Sequence, residues 1–69
     1  MMRHRRLYGL YERPLGTRRW TRVAGTLSYR QPVAVRVFQS MLLAGKEGME
    51  LLLRPARQAD ILDDWAHGR

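Results

Sequence analysis

The chain has 69 residues, no cysteine, 45% hydrophobic residues and a formal net charge of +7. A chain this short holds one domain at most, with a core worth roughly 3–5 kcal/mol net, so self-association is a natural aid to stability. Without cysteine there is no disulfide framework and no thiolate metal site, while the hydrophobic content excludes wholesale disorder.

The opening "MMRHRRLYGLYERP" has the basic start of a signal peptide, but Gly9, Glu12, Arg13 and Pro14 break the apolar run that should follow. No uncharged apolar stretch elsewhere approaches the ~18 residues of a membrane span. The sequence therefore predicts no membrane partner and a cytoplasmic setting. Charge is unevenly spread. Through Arg36 there are nine arginines and one acid, Glu12; from Val37 onward Lys46, Arg54, Arg57 and Arg69 face five carboxylates. A basic half suits phosphates or an acidic protein surface, although a GC-rich coding sequence also favours arginine.

Residues 1–5 form a basic arm, and the ordered core is expected over about 6–55. "RLYGLYE", residues 6–12, reads as a strand, with Leu7, Gly9 and Tyr11 on one face and Tyr8 and Leu10 on the other. "RPLGT", residues 13–17, is a turn, and "RRWTRV", residues 18–23, pairs back as the second strand of a hairpin. Residues 24–31 read as a loop. A helix is expected over about Pro32–Ala44, since a proline in the first turn pushes Gln31 out of the α region, and Ser28 with Gln31 offers a competing capping box. Ala34, Val37, Phe38, Met41 and Leu42 fall at the spacing of one buried stripe, opposite Arg36, Gln39 and Ser40, and Gly45 is the C-cap. "MELLLRP", residues 49–55, is a third strand that Pro55 ends.

Residues 56–69 form a short helix or a tail. As a helix this segment would turn Ala59, Leu62 and Ala66, or Ile61 and Trp65, inward. The fold class is thus α+β: a three-stranded antiparallel sheet (β-β-α-β) with the first strand central, packed on one main helix. The second sheet face is left to solvent, to the C-terminal segment or to a ligand.

Catalytic constellations are missing from the sequence. His4 and His67 both lie near a terminus, and there is no G-x-S-x-G, Gly-rich phosphate loop or H-E-x-x-H. A non-enzymatic protein without a cofactor is expected. Asp60, Asp64 and His67 share a helical face at ligand spacing, but an acidic end that balances nearby arginines explains them more simply. The strongest binding signal is the arginine–aromatic ribbon. Cations displace counterions from a polyanion, and rings offer stacking surfaces to bases. The contact set is Arg3, Arg5, Arg6, Arg18, Arg19, Trp20 and Arg22. The competing reading makes Trp20 a core filler with snorkelling arginines around it. Met41, Leu42, Leu43, Met49 and Leu52 exceed what one stripe and one strand face need, and they form a second candidate surface for a protein or for a homodimer seam.

"W-T-R-V" in the hairpin, the Tyr-x-x-Pro lead-in at Tyr29–Pro32, "AVRVFQSMLLAG" and the closing "ELLLRP" together resemble small uncharacterised accessory proteins of actinobacterial phages and prophages. The resemblance covers residues 7 to 55 and carries over no functional residues, because its motifs are core-like. It implies a viral accessory protein in the host cytoplasm that binds a macromolecule. Nucleic acid, DNA or RNA, is the favoured partner. The alternatives are stoichiometric inhibition of a host protein, such as transcription, DNA-handling or CRISPR machinery, and structural self-association.

Overall fold

Alternating aromatic and aliphatic residues at 7–11 build the strand around which everything else is organised. The computed structural model describes residues 6–67, in the order β1 (Leu7–Pro14), β2 (Thr21–Arg22), β3 (Tyr29–Arg30), α1 (Gln31–Ala44), β4 (Met49–Pro55) and α2 (Gln58–His67). All pairings are antiparallel and all involve β1, giving a small four-stranded sheet in an α+β fold. β4 runs along the length of β1, from Tyr8 opposite Pro55 to Pro14 opposite Met49. A strand has two edges, so β2 and β3 share the other one as two pieces of an interrupted strand. Backbone bonds agree: Val23 N–H donates to the Leu10 carbonyl at 3.0 Å and Ala56 N–H to the Leu7 carbonyl at 2.9 Å. Even residues of β1 therefore bond toward β2 and β3, and odd ones toward β4.

The central place of the first strand is as expected from the sequence. Two details differ. The returning hairpin strand is only Thr21–Arg22, because Pro14 closes a turn with Thr17 that sends residues 15–20 out as a loop: the Thr17 amide and hydroxyl donate to the Pro14 carbonyl at 3.1 and 2.7 Å, and Leu15 N–H donates to Gly48. Tyr29–Arg30, read as loop, is a short strand. The chain leaves the ladder at Val23, turns through Gly25 at φ 85° with Thr26 bonded back to the Val23 carbonyl, and rejoins β1 at Tyr29.

α1 starts one residue before the predicted position and ends at Ala44, with Gly45 at φ 64° donating its N–H to the Met41 carbonyl. No side chain caps its N-terminus, and no acid lies in its first turn. Packing therefore holds it: Ala34 is buried, and Val37, Phe38 and Met41 are half-buried, over the sheet face that carries Leu10, Leu51 and Leu53. Leu42, assigned to the buried stripe from sequence, is exposed at the lip of a groove, and Val35 on the other flank is half-buried.

The C-terminal segment is a helix, and it crosses the opposite sheet face. The residues it turns inward are Asp60, Ile61 and Asp64, whereas Ala59, Leu62 and Ala66 are exposed and Trp65 is 66% exposed. Both predicted inward faces are corrected except at Ile61. The cause lies on the sheet, where Tyr11 and Arg22 present donors that the carboxylates of Asp60 and Asp64 satisfy. Leu10 and Tyr11 are completely buried, each worth ~2 kcal/mol in apolar area removed from water. Among the described residues no helix is long and apolar enough to cross a membrane.

Candidate polyanion interface

Register determines which side chains share the α2-bearing face. Opposite one another are Arg22 and Tyr11, Tyr11 and Leu52, Arg13 and Glu50, and Gly9 and Arg54. Cross-strand partners point to the same side of a sheet, so an arginine–aromatic layer forms there.

Tyr11 is its centre. The phenol hydroxyl donates to Asp60 Oδ2 at 2.6 Å and accepts the Arg57 backbone N–H at 3.0 Å. Burial, and then the bond to Asp60, push the phenol above its ordinary value of 10.0. The Arg57 guanidinium stands 4.7 Å from the ring centroid and Arg54 stands 5.9 Å away. Arg57 also donates from Nη2 to the Trp20 carbonyl at 2.9 Å, which joins the loop before β2 to the start of α2. The Trp20 ring in turn carries the Arg13 guanidinium 4.2 Å above it. Stacking of this kind contributes about 0.5–1 kcal/mol at an exposed site, rising as water is excluded.

Glu50, Asp63 and Asp64 on this face are neutralised within the protein, and Asp60 holds the Tyr11 hydroxyl. Arg13 Nε bonds Glu50 at 2.5 Å. Arg22 Nη1 bonds Asp64 at 2.5 Å, and its Nη2 bonds Asp63 at 3.0 Å. Asp64 is buried and also accepts the Ser28 N–H at 2.8 Å, tying α2 to the loop before β3. Burial alone would raise the Asp64 carboxyl, but the bonds from Ser28 and Arg22 outweigh it and hold the group below its usual range. Burial also works against the Arg22 charge, and Asp64, with Asp60 and Asp63 behind it, keeps that guanidinium protonated above its ordinary value.

Of the exposed arginines that have no carboxylate within salt-bridge distance among the described residues, four gather around Trp20 and Tyr11: Arg18, Arg19, Arg54 and Arg57. Arg18 and Arg19 adjoin Trp20 in the chain, Arg57 is bonded to Trp20, and Arg54 shares the Tyr11 ring with Arg57. Through these links they form a cationic cluster, to which Arg18 and Arg19 are tied by their place in the chain. Arg30, opposite Leu7, adds a fifth exposed cation at the far end of the same face.

The sequence-derived contact set divides accordingly. Arg18 and Arg19 are free, and Trp20 is half-buried beneath Arg13. Arg6 is exposed just before β1, and Arg3 and Arg5 lie outside the described residues. Arg22 is bonded to two carboxylates and serves as the latch that docks α2. Arg54 and Arg57, absent from that set, join the patch. Alternation in "MELLLRP" already put Arg54 on one face with Glu50 and Leu52, but no local signal placed Arg57 against Trp20. Of the acids that share a helical face with His67, Asp60 is occupied by Tyr11 and Asp64 by Arg22 and Ser28, and no group of three metal-ligating side chains comes together among the described residues. Comparison with protein-family models, curated proteins and solved structures returns no match.

Proposed function

We propose that this protein acts by binding, without catalysis, and that its ligand is a polyanion, nucleic acid before other candidates. The observation that carries the reading is the cationic cluster of Arg18, Arg19, Arg54 and Arg57 around Trp20 and Tyr11, on a face where Glu50, Asp63 and Asp64 are already paired internally. Unpaired guanidiniums replace condensed counterions, and their planar forks match phosphate oxygens. Trp20, stacked from one side by Arg13, is a flat surface on which an unpaired base can lie. The proposed setting, taken from the resemblance of residues 7 to 55 to phage accessory proteins, is a host cytoplasm.

Fluorescence anisotropy with labelled single- and double-stranded DNA and RNA, at ~50 and ~200 mM salt, tests the proposal. Three or four phosphate contacts predict a loss of roughly tenfold to a hundredfold in affinity across that range. Arg18→Glu, Arg19→Glu and Arg57→Glu each weaken binding of all sequences alike and flatten the salt slope by about one. No binding at the lower salt removes nucleic acid as the ligand.

One observation favours a protein target as the second reading. Leu42 is 54% and Leu43 89% exposed at the end of α1, beside a groove of ~240 Å³ lined by Met41, Gly45, Lys46, Met49 and Leu51. Stoichiometric inhibition of a host protein through that end of the molecule predicts one partner co-purifying at physiological salt, and its loss in Leu43→Asp.

A further inference from the structure

β4 has one occupied edge and one free edge. Ala56 N–H donates to Leu7, and Leu15 N–H to Gly48, so in the β1–β4 register the hydrogen-bonded pairs are Leu7–Ala56, Gly9–Arg54, Tyr11–Leu52 and Arg13–Glu50. The N–H and C=O groups of Leu51 and Leu53 therefore point away from β1. No strand pairs with them among the described residues. An apolar edge of this length is the kind of template that folded proteins usually blunt or cover.

We propose that a second copy of this chain occupies that edge, β4 against β4 in antiparallel register about a two-fold axis at Leu52. The register follows from two constraints. Outward-pointing residues must pair with outward-pointing residues, which leaves only registers that move by two. Of these, the one that sets Leu52 against Leu52 also sets Glu50 against Arg54 of the second copy, twice. Leu51 and Leu53 then exchange four backbone hydrogen bonds with their counterparts. Met49 and Pro55 lie opposite each other at the ends and exchange no ladder bond: Met49 N–H is already donated to Lys46, and Pro55 has no N–H to offer the Met49 carbonyl, which is left to water at the rim. Neighbouring even registers place Glu50 against Leu52 or Ala56 and leave both charges unmatched.

Charge complementarity supports this occupant over others. Arg54 is exposed and has no carboxylate of its own, while Glu50 uses Oε1 for Arg13 and keeps Oε2 for a second cation. Row by row, the paired sheet reads Trp20, Arg13, Glu50, then Arg54 and Gly9 of the second copy. On the other face, Leu53 of the second copy comes to lie beside Leu51 and Met49, against the groove that those residues line with Met41 and Leu42. An interface of this kind is isologous and closed, so it ends at a dimer. It does not rest on the polyanion reading, but it draws Arg54 out of that patch, leaving Arg18, Arg19 and Arg57 of each copy on one continuous six-strand-wide face.

Sedimentation of the full chain without nucleic acid tests the inference. The expected mass is twice the 8.1 kDa of one chain, falling toward one chain on dilution. Arg54→Glu sets four carboxylates at the seam and weakens self-association at least about tenfold. Glu50→Arg does the same with four guanidiniums. Mixing the two variants restores both opposite-charge pairs and yields a heterodimer. N-methylation of Leu53 removes an outward donor without touching the bonds to β1, so it yields a folded monomer by circular dichroism. A single-chain mass at the highest soluble concentration overturns the proposal. So does a dimer indifferent to Arg54→Glu and to N-methylation, which would place the seam at Leu42 and Leu43 instead. Folded Glu50→Arg and Arg54→Glu chains that fail to pair overturn the register.

Discussion

The Tyr11 ring lies back along its own strand over Gly9: a Cβ built on Gly9 would sit 2.9 Å from the Tyr11 Cε2 and hydroxyl oxygen. Space, and not backbone conformation, is what requires glycine here. The ring occupies the place of the missing side chain and reaches Asp60 and the Arg57 amide from there. Gly9→Ala forces the ring to move, and the ring cannot move without loosening both bonds. We expect a loss of about 1–3 kcal/mol, read as a lower melting temperature, with a blue-to-red shift of Trp20 emission as Arg57 releases its carbonyl. Unchanged stability would mean that the ring has another resting place.

The α2 latch separates two neighbouring aspartates. Asp64 is buried, holding Arg22 and the Ser28 amide, whereas Asp63 is half exposed and meets only Arg22 Nη2 and His67. Asp64→Ala strands a partly buried guanidinium and a backbone donor, costing about 2–4 kcal/mol. Asp63→Ala costs less than about 1 kcal/mol. Thermal melts of the two variants, followed by helical circular dichroism, check the contrast. Equal losses would show that α2 is held by its surface and not by the latch.

The contrast also explains how far the sequence could be read. α1 was legible because Ala34, Val37, Phe38 and Met41 meet the sheet at helical spacing, a local pattern. β1 and β4 were legible by alternation, and the first strand's central place followed from handedness. α2 was not, because its inward residues are polar. Asp60 and Asp64 face inward only because Tyr11 and Arg22, 49 and 42 residues away, are waiting there. The same long-range pairing removes Arg22 from the contact surface, although Arg18 and Arg19 in the same short run stay free. β3 was hidden because two residues carry no periodicity, and its pairing depends on how far the Gly25 turn lets the chain swing.

Acid and base should both release α2, for opposite reasons. The Asp64 carboxyl is held below its unfolded value near 3.8, so its contribution is present above that pH and is lost as pH falls through the folded value. The Tyr11 phenol is held above 10.0, so its contribution is present below that pH and is lost as pH rises through the folded value. Stability is therefore broadest between about pH 4 and pH 10. Tyr11→Phe removes the alkaline limb and keeps the acid one, and Asp64→Asn does the reverse. Chemical denaturation across pH reads both limbs. An alkaline limb that survives in Tyr11→Phe would assign it to another group.

Arg30 is in the wrong place for stability. It is the N-cap of α1, makes no side-chain bond to the first turn, and puts a cation where the helix dipole favours an anion. Pro32 has no N–H, so the donor that a cap could satisfy is Val33 N–H. Arg30→Asp supplies an acceptor and reverses the charge, which should stabilise the protein by about 1 kcal/mol, raising the melting temperature by several degrees for a domain of this size. On the polyanion reading the same substitution has a second effect, because Arg30 lies exposed on the cationic face. Affinity for nucleic acid then falls while stability rises. The two readouts separate the causes: tighter folding with unchanged binding leaves the patch at Arg18, Arg19, Arg54 and Arg57, whereas weaker binding in a more stable protein extends it to the end of β3. Arg30→Gln, which removes the charge without supplying a good cap, should lower affinity with little gain in melting temperature.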